Sequence, residues 1–311
     1  MTRVGAIDCG TNSIRLLVAE VDAATGQLVD LDRQMRVVRL GQDVDHTGRL
    51  APEALERTLR ATRDYADRCA ELGVERVRFV ATSASRDAEN RQDFVDGVHR
   101  LLGVEPEVVS GAEEAHLSFL GATRELVAEG LHGPFVVADI GGGSTEVVRG
   151  GSDVEAALSV DVGCVRLTER HLAGDPPTPD QVRAARVDVD AALDRVAAVV
   201  PLQGVATLVG LAGSVTTVAA TVLKLDAYEP ARIHHARLAV DDVRSACDRL
   251  LAMSHAERAA LPFMHPGRVD VIGAGALIWR RVVDRLVAES GLEEVVVSEH
   301  DILDGIAFSV A

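Results

Sequence analysis

The sequence predicts an α/β fold in two lobes, and three observations carry that expectation. β-branched runs, small-residue turns and helically spaced segments alternate along the whole chain. Two glycine turns, one in each half, share a single order: an apolar run ending on an acid, then glycine, hydroxyls and a second apolar run (AIDCGTNSIRLLVAE and VVADIGGGSTEVVRG). With 311 residues and a hydrophobic fraction of 47%, the chain has the length of two ordinary domains and ample material for their cores. Aromatics are only 3%, so those cores must be built from Ala, Val and Leu.

Taken in order, Ala6–Asp8 close a strand, Gly10–Ser13 turn the chain, and Ile14–Val18 resume an extended apolar pattern. APEALERTLRATRDYADRCAELG has the apolar spacing of a helix. RVRFVATSASRDAENRQDFVDGVHRLL reads as strand, turn and helix, with Thr82, Ser83 and Ser85 offering N-cap oxygens. SGAEEAHLSF follows a strand and continues as a helix. The stretch Arg124–Pro134 is the expected boundary between lobes, before the strand, turn and strand of residues 136–150. GDPPTPD is a loop leading into the helix TPDQVRAARVDVDAALDRVAAVV. ATLVGLAGSVTTVAATVLKL, RVDVIGAGALIWRRVVDRLVAES and EEVVVSEHDILDGIAFSV each repeat the pattern of strand, turn and helix.

The formal charge of −16 argues against a general nucleic-acid or membrane-surface binder. Cys9, Cys69, Cys164 and Cys247 are scattered, without metal-ligand spacing, and read as small buried hydrophobes in a reducing compartment. No apolar run approaches membrane-spanning length and MTRVGAIDCG lacks the shape of a signal peptide, so a cytoplasmic location is expected.

In both turns glycine is followed by a strand rather than a helix. That excludes a dinucleotide fingerprint and a P-loop, each of which opens a helix. A glycine turn between strands still makes a phosphate clamp, because the backbone can approach closely and its N–H groups and neighbouring hydroxyls donate to phosphate oxygens. The acids, Asp8, Asp139 and Glu146, would repel phosphate directly, so their natural partner is a divalent cation or an attacking water, and Mg²⁺ held through carboxylates and substrate phosphates fits the arrangement. The phosphate candidates are Gly10, Thr11, Asn12 and Ser13 in the first turn and Gly141, Gly142, Gly143, Ser144 and Thr145 in the second. Arg15 and Arg86 are the positive candidates, since a guanidinium can fork onto phosphate oxygens.

The paired pattern is that of the actin/Hsp70/hexokinase superfamily. Within it the chain closely resembles the exopolyphosphatase/guanosine pentaphosphatase (Ppx/GppA) family. The residues that carry the resemblance are AIDCGTNSIRLL, ATSASRDAEN, VSGAEEAHLSFLGA, VADIGGGSTEVV, SVDVGCVRLTE, GLAGSVTT, VIGAGA and VVVSEHDILDGIA. The resemblance implies two ribonuclease-H-like lobes flanking a cleft, residues 1–125 with 298–311 and residues 126–297. It implies Glu114, the second acid of the EE pair, as the base that activates water, with Mg²⁺ at Asp139 and Glu146 and Asp8 as a further candidate. Glu113 reads as a helix N-terminal acid, His116 as a solvated helix residue, and Glu169 as either a cap or an outer metal contact.

The expected reaction is hydrolysis of the terminal phosphoanhydride of inorganic polyphosphate, releasing orthophosphate. Guanosine pentaphosphate (pppGpp) or tetraphosphate is the alternative substrate, and a polyphosphate or alarmone sensor without turnover is the alternative of another class. An actin-like ATPase or sugar kinase would need ATP held at GLAGSVTT, where close packing of helix on strand also accounts for the glycines. The chain resembles the short family members, which lack an additional helical region, so short polyphosphate is the expected preference. A homodimer is expected.

Overall fold

The computed structural model describes residues 1–22 and 27–310. The chain forms two compact units, Met1–Gly121 with Ile302–Ala311, and Ala122–Asp301.

The sheet of the first unit contains β1 (Thr2–Cys9), β2 (Ser13–Val21), β3 (Leu28–Val37), β4 (Arg76–Ala81) and β5 (Glu107–Val108). Their order is β3-β2-β1-β4-β5. β1 pairs antiparallel with β2 and parallel with β4. Strand alternation splits the apolar residues between two faces. Ile7, Cys9, Ile14, Leu16, Phe79 and Ala81 face a core closed by the helices Pro52–Glu71 and Arg91–Leu102, with Tyr65, Phe94 and Val98 buried in it. Val4, Ala6, Leu17, Ala19 and Val80 face the opposite core, which is filled by Leu117 and by Ile302, Leu303, Ile306 and Ala307 of the C-terminal helix Ile302–Val310. Arg33 ties that helix to β3 through Asp304, at 2.5 Å.

The sheet of the second unit contains β6 (Phe135–Ile140), β7 (Thr145–Gly150), β8 (Val154–Val160), β9 (Thr207–Leu211), β10 (Arg237–Ala239) and β11 (Glu294–Val297), in the order β10-β11-β9-β6-β7-β8. β6 pairs antiparallel with β7 and parallel with β9, and β9 is parallel to β11. Three antiparallel strands followed by parallel ones, counted from the glycine hairpin, therefore occur in both units. This is the ribonuclease-H-like order, with β10 added antiparallel at one edge. The core is aliphatic, centred on Val136, Ala138, Leu208, Val215 and Val218, with Trp279 as its one tryptophan. Helix Pro179–Val199 starts on a capping box in which Thr178 accepts from Gln181 N and Gln181 returns the bond.

Three local expectations need correction. RVDV is not a strand: Pro266–Arg268 forms a 3₁₀ turn that leads directly into helix Ile272–Ser290, with His265 Nδ1 accepting from Gly267 N. Thr82 stands at the N-cap of the short helix Ser83–Asp87 but makes no side-chain cap bond. Ser83 is taken by Thr11, and the Ser85 hydroxyl is buried without a partner. The edge strand β3, LVDLDRQMRV, escaped the sequence reading because half of its residues are polar and half are exposed, the apolar Val29 and Leu31 among them. No helix among the described residues is long and apolar enough to cross a membrane. All four cysteines are free and buried as expected, and burial pushes the Cys164 thiol up to about 11.

Candidate active site

In the first unit the strand pair β1–β2 creates the turn. Gly10 N donates to Ser13 O at 2.9 Å, closing the hairpin over Thr11 and Asn12. The loop that follows β3 fastens the turn from outside: Val38 N and Arg39 N both donate to Asn12 O, and Gly41 N donates to Thr11 O. Thr11 Oγ1 lies 2.9 Å from Ser83 Oγ, so the turn is also tied to the segment after β4. Asp8, 5% exposed, stands directly opposite Arg15 in the antiparallel register. Arg15 donates both Nε and Nη2 to Asp8 Oδ2, at 3.0 and 2.7 Å. Of the predicted residues here, the acid and the arginine are thus brought onto each other.

Burial separates the two acids of the EE pair. Both begin the helix Gly111–Ala128, where carboxylates are favoured by the dipole. The Glu113 side chain is 44% exposed and pairs at the surface with Arg78, whereas that of Glu114 is 10% exposed and receives Arg86 Nη1 at 3.1 Å. The same Nη1 donates to Val109 O at 3.0 Å, which fixes the guanidinium beside the helix start. The expected base is therefore the one held inside, by the expected arginine.

The second turn repeats the first. Gly141 N donates to Ser144 O at 3.0 Å, and the acid lies two residues before the glycine, as Asp8 does before Gly10. The cross-strand partner differs: Asp139 stands opposite Glu146, where Asp8 has Arg15. Both acids are buried, at 7% and 1% exposure, and like charges directly opposite one another in a sheet are destabilising. Ser159, opposite Glu146 on β8, donates to Glu146 Oε1 at 2.6 Å. Thr145 spends its hydroxyl proton on Val162 O at 2.5 Å, a use that its place in the motif did not reveal.

The glycine loop rests on the next helix, Cys164–His171. Cys164 N donates to Gly141 O at 3.0 Å, and Val165 N and Arg166 N donate to Gly142 O at 2.9 and 3.2 Å. Gly163, the N-cap, makes this possible: a Cβ there would lie 2.5 Å from Gly143 N and closer still to the Gly142 carbonyl. This supporting residue was missed in the sequence. The signal was the glycine of SVDVGCV, one residue before the helix.

The model of the Ppx/GppA phosphatase family matches residues 17–309. Exopolyphosphatase 2 of Mycobacterium tuberculosis is 51% identical over 318 aligned positions, covering 100% of this chain and 99% of that protein. The chain belongs to the Ppx/GppA phosphatase family. Among solved structures, an exopolyphosphatase-like protein is 45% identical, with a TM-score of 0.95 over 99% of this chain and 97% of that one. The Aquifex aeolicus family member is 31% identical, with a TM-score of 0.81 and coverage of 99% and 97%.

In this Ppx/GppA chain the GLAGSVTT segment links β9 to the helix Ala212–Val222 and is densely packed. A Cβ at Gly210 would lie 2.7 Å from both the Trp279 ring and Val215 Cγ1, and one at Gly213 would meet the Arg268 guanidinium. Ala212 itself takes a positive φ of 67°. Thr217 Oγ1 returns a bond to Gly213 O at 2.6 Å. Arg268 also lies over the Tyr228 ring, 5.8 Å from its centroid, and the Tyr228 hydroxyl donates to Glu299 Oε1 at 2.6 Å. At Gly210 close packing is what the surroundings require, whereas at Gly213 the atoms met belong to the end of the Arg268 side chain.

Proposed function

We propose that this phosphatase is an exopolyphosphatase, hydrolysing the terminal phosphoanhydride of inorganic polyphosphate and releasing orthophosphate. The observation that carries the reading is the pair of matching hairpins, each with backbone N–H groups and hydroxyls at a tight glycine turn, of which the second bears the opposed carboxylates Asp139 and Glu146. The relative from Mycobacterium tuberculosis, which bears the name exopolyphosphatase over its whole length, supports it.

The donor set fits a hard divalent cation. Two buried carboxylates face each other across one register position, and oxygen ligands of this kind suit Mg²⁺. Asp139 and Glu146 would hold the ion, with Ser159 fixing one Glu146 oxygen. When bound, Mg²⁺ supplies positive charge against the phosphate oxygens. Asp8 already carries the Arg15 guanidinium and serves to orient it.

The chain's own residues supply the rest. Backbone N–H groups and hydroxyls of Gly10–Ser13 and Gly141–Ser144 bind phosphate oxygens, as glycine turns do. Glu114 accepts the proton of the attacking water, and Arg86 positions its carboxylate through Nη1 while its remaining donors are directed to phosphate. Positioning and electrostatics dominate phosphoryl transfer, so no covalent nucleophile is required.

Phosphate release from short polyphosphate, long polyphosphate, pppGpp and ATP, measured side by side with Mg²⁺, tests the proposal. Polyphosphate should have the highest kcat/KM. A higher value for pppGpp would make the chain an alarmone phosphatase, and no turnover of any of the four would leave a binding protein.

A further inference from the structure

Three imidazoles and two carboxylates meet at one place in the second unit, in residues that the phosphatase reading does not use. Glu125 lies in the last turn of helix Gly111–Ala128, and Glu129 follows one turn later. His234 and His235 succeed the short helix Pro230–Ile233, and His300 follows β11. Glu125 Oε2 lies 3.2 Å from His234 Nε2 and 3.1 Å from His300 Nδ1. The His234 and His235 rings stack with centroids 3.6 Å apart. One ligand atom from each of Glu125, His234 and His235 falls within 4.8 Å of the other two, the one such His/Cys/Asp/Glu group among the described residues.

The tautomer of His235 gives this cluster a direction. Its Nδ1 faces Glu129 Oε1 at 2.8 Å, and a neutral imidazole facing a carboxylate holds its proton on that nitrogen. The lone pair is then on Nε2, which is buried and has no hydrogen-bond partner. An imidazole that donates one nitrogen to a carboxylate and keeps a bare second nitrogen is the arrangement seen in metal-ligating histidines. The backbone supports the placement: His235 adopts a positive φ of 57°, and its N–H donates to Val297 O at 2.7 Å.

We infer that Glu125, His234 and His235 form a site for Zn²⁺ or a similar first-row divalent ion, with His300 as the nearest further imidazole. Bonds of about 2.0–2.1 Å in a tetrahedral site put neighbouring ligand atoms roughly 3.3 Å apart, close to the separations already present around Glu125. Two imidazoles and a carboxylate prefer such an ion to Mg²⁺, which sets this site apart from the opposed carboxylates at the glycine turn. Coordination by His234 Nε2 moves that ring's proton to Nδ1, at the expense of the 3.2 Å bond from Glu299 N.

The test is calorimetric titration of untagged, chelator-stripped protein with ZnCl₂ in excess Mg²⁺, together with Co²⁺ absorption spectra. One equivalent should bind with micromolar or tighter affinity, and Co²⁺ should give the intense visible bands of tetrahedral coordination. His235→Asn, chosen because Asn tolerates a positive φ, should weaken binding at least about tenfold. Glu125→Gln, at an exposed helix end, should do the same and decides the matter if the histidine variant does not fold. Asp139→Asn should leave the titration unchanged. The inference is overturned if the parent protein binds no zinc, if a folded His235→Asn or Glu125→Gln variant binds as the parent does, or if Asp139→Asn alone abolishes binding.

Discussion

Replacing Gly163 by alanine should damage activity far more than stability, and the structure sets the scale. The added Cβ would lie 2.5 Å from Gly143 N and nearer to the Gly142 carbonyl, both of them backbone atoms that no rotamer change can move aside. Ordinary contact begins near 3.4 Å, so the loop Gly141–Gly143 and the start of helix Cys164–His171 must part by about 1 Å. Overpacking of that size costs ~1–3 kcal/mol of stability. The loop would also lose alignment of the bonds from Cys164, Val165 and Arg166 that hold its carbonyls, and with them the aim of its N–H groups. A misplacement of 1 Å in a positioning element lowers turnover by roughly a hundredfold. Gly10→Ala is the control, since a Cβ there meets nothing closer than Ser13 O at 3.6 Å and would leave the first turn intact. Its fold should be unaffected, and any rise in KM reports lost access of phosphate to the backbone. Thermal melts and phosphate release from polyphosphate for both variants check the reasoning. A Gly163→Ala enzyme with parental kcat/KM and melting temperature would show that the helix start does not position the loop.

Glu114→Gln should keep the fold while lowering turnover at least ~100-fold, the scale of a lost general base; turnover within a few-fold of the parent, at equal melting temperature, would remove Glu114 from that role. Asp139→Asn removes one of two opposed carboxylates, so the metal-free protein should melt no lower than the parent while the Mg²⁺ concentration for half-maximal activity rises; identical half-saturation would put the metal elsewhere. Asp32 offers a pH test. Burial alone would raise its pKa, but hydrogen bonds from Arg68 and Gln34 outweigh that and hold it below the ordinary aspartate value. A depressed carboxylate contributes stability above its unfolded pKa and loses it as pH falls through the folded value. The stability difference between the parent and Asp32→Asn, at most ~1 kcal/mol with a partner as exposed as Arg68, should therefore be constant at neutral pH and shrink below about pH 4. A difference that grows on acidification would contradict it.

The fold was legible because its information is local. Apolar runs in TRVGAIDC and SIRLLVAEV, helical spacing in Pro52–Glu71 and the two glycine turns are each visible in a short local stretch. What escaped depends on contacts distant in sequence or on weak local signals. β3 hides behind its exposed charges, and RVDV has the apolar content of a strand but is bent by Pro266. The histidine cluster joins residues 125, 234, 235 and 300, and no spacing rule links its three segments.

The site shows the same division at finer grain. In both hairpins the acid precedes its cross-strand partner by seven residues, Asp8 to Arg15 and Asp139 to Glu146; the second pair is legible in the sequence, whereas there Arg15 reads as a phosphate ligand and Asp8 as a further metal candidate. Their meaning appears only with the register. An arginine opposite a buried aspartate closes that position by a charge-assisted bond at 2.7 Å, whereas a glutamate opposite a buried aspartate leaves two like charges to be compensated. The residue opposite the acid thus distinguishes two hairpins closed by the same glycine-to-serine bond, and it is the reason the proposed cation site lies at the second turn rather than the first. Exchanging that residue would test the assignment: Glu146→Arg should lower the Mg²⁺ dependence at Asp139 by supplying a permanent guanidinium, as Arg15 does for Asp8. If Glu146→Arg keeps the parental Mg²⁺ titration, the opposed carboxylates are not the metal ligands.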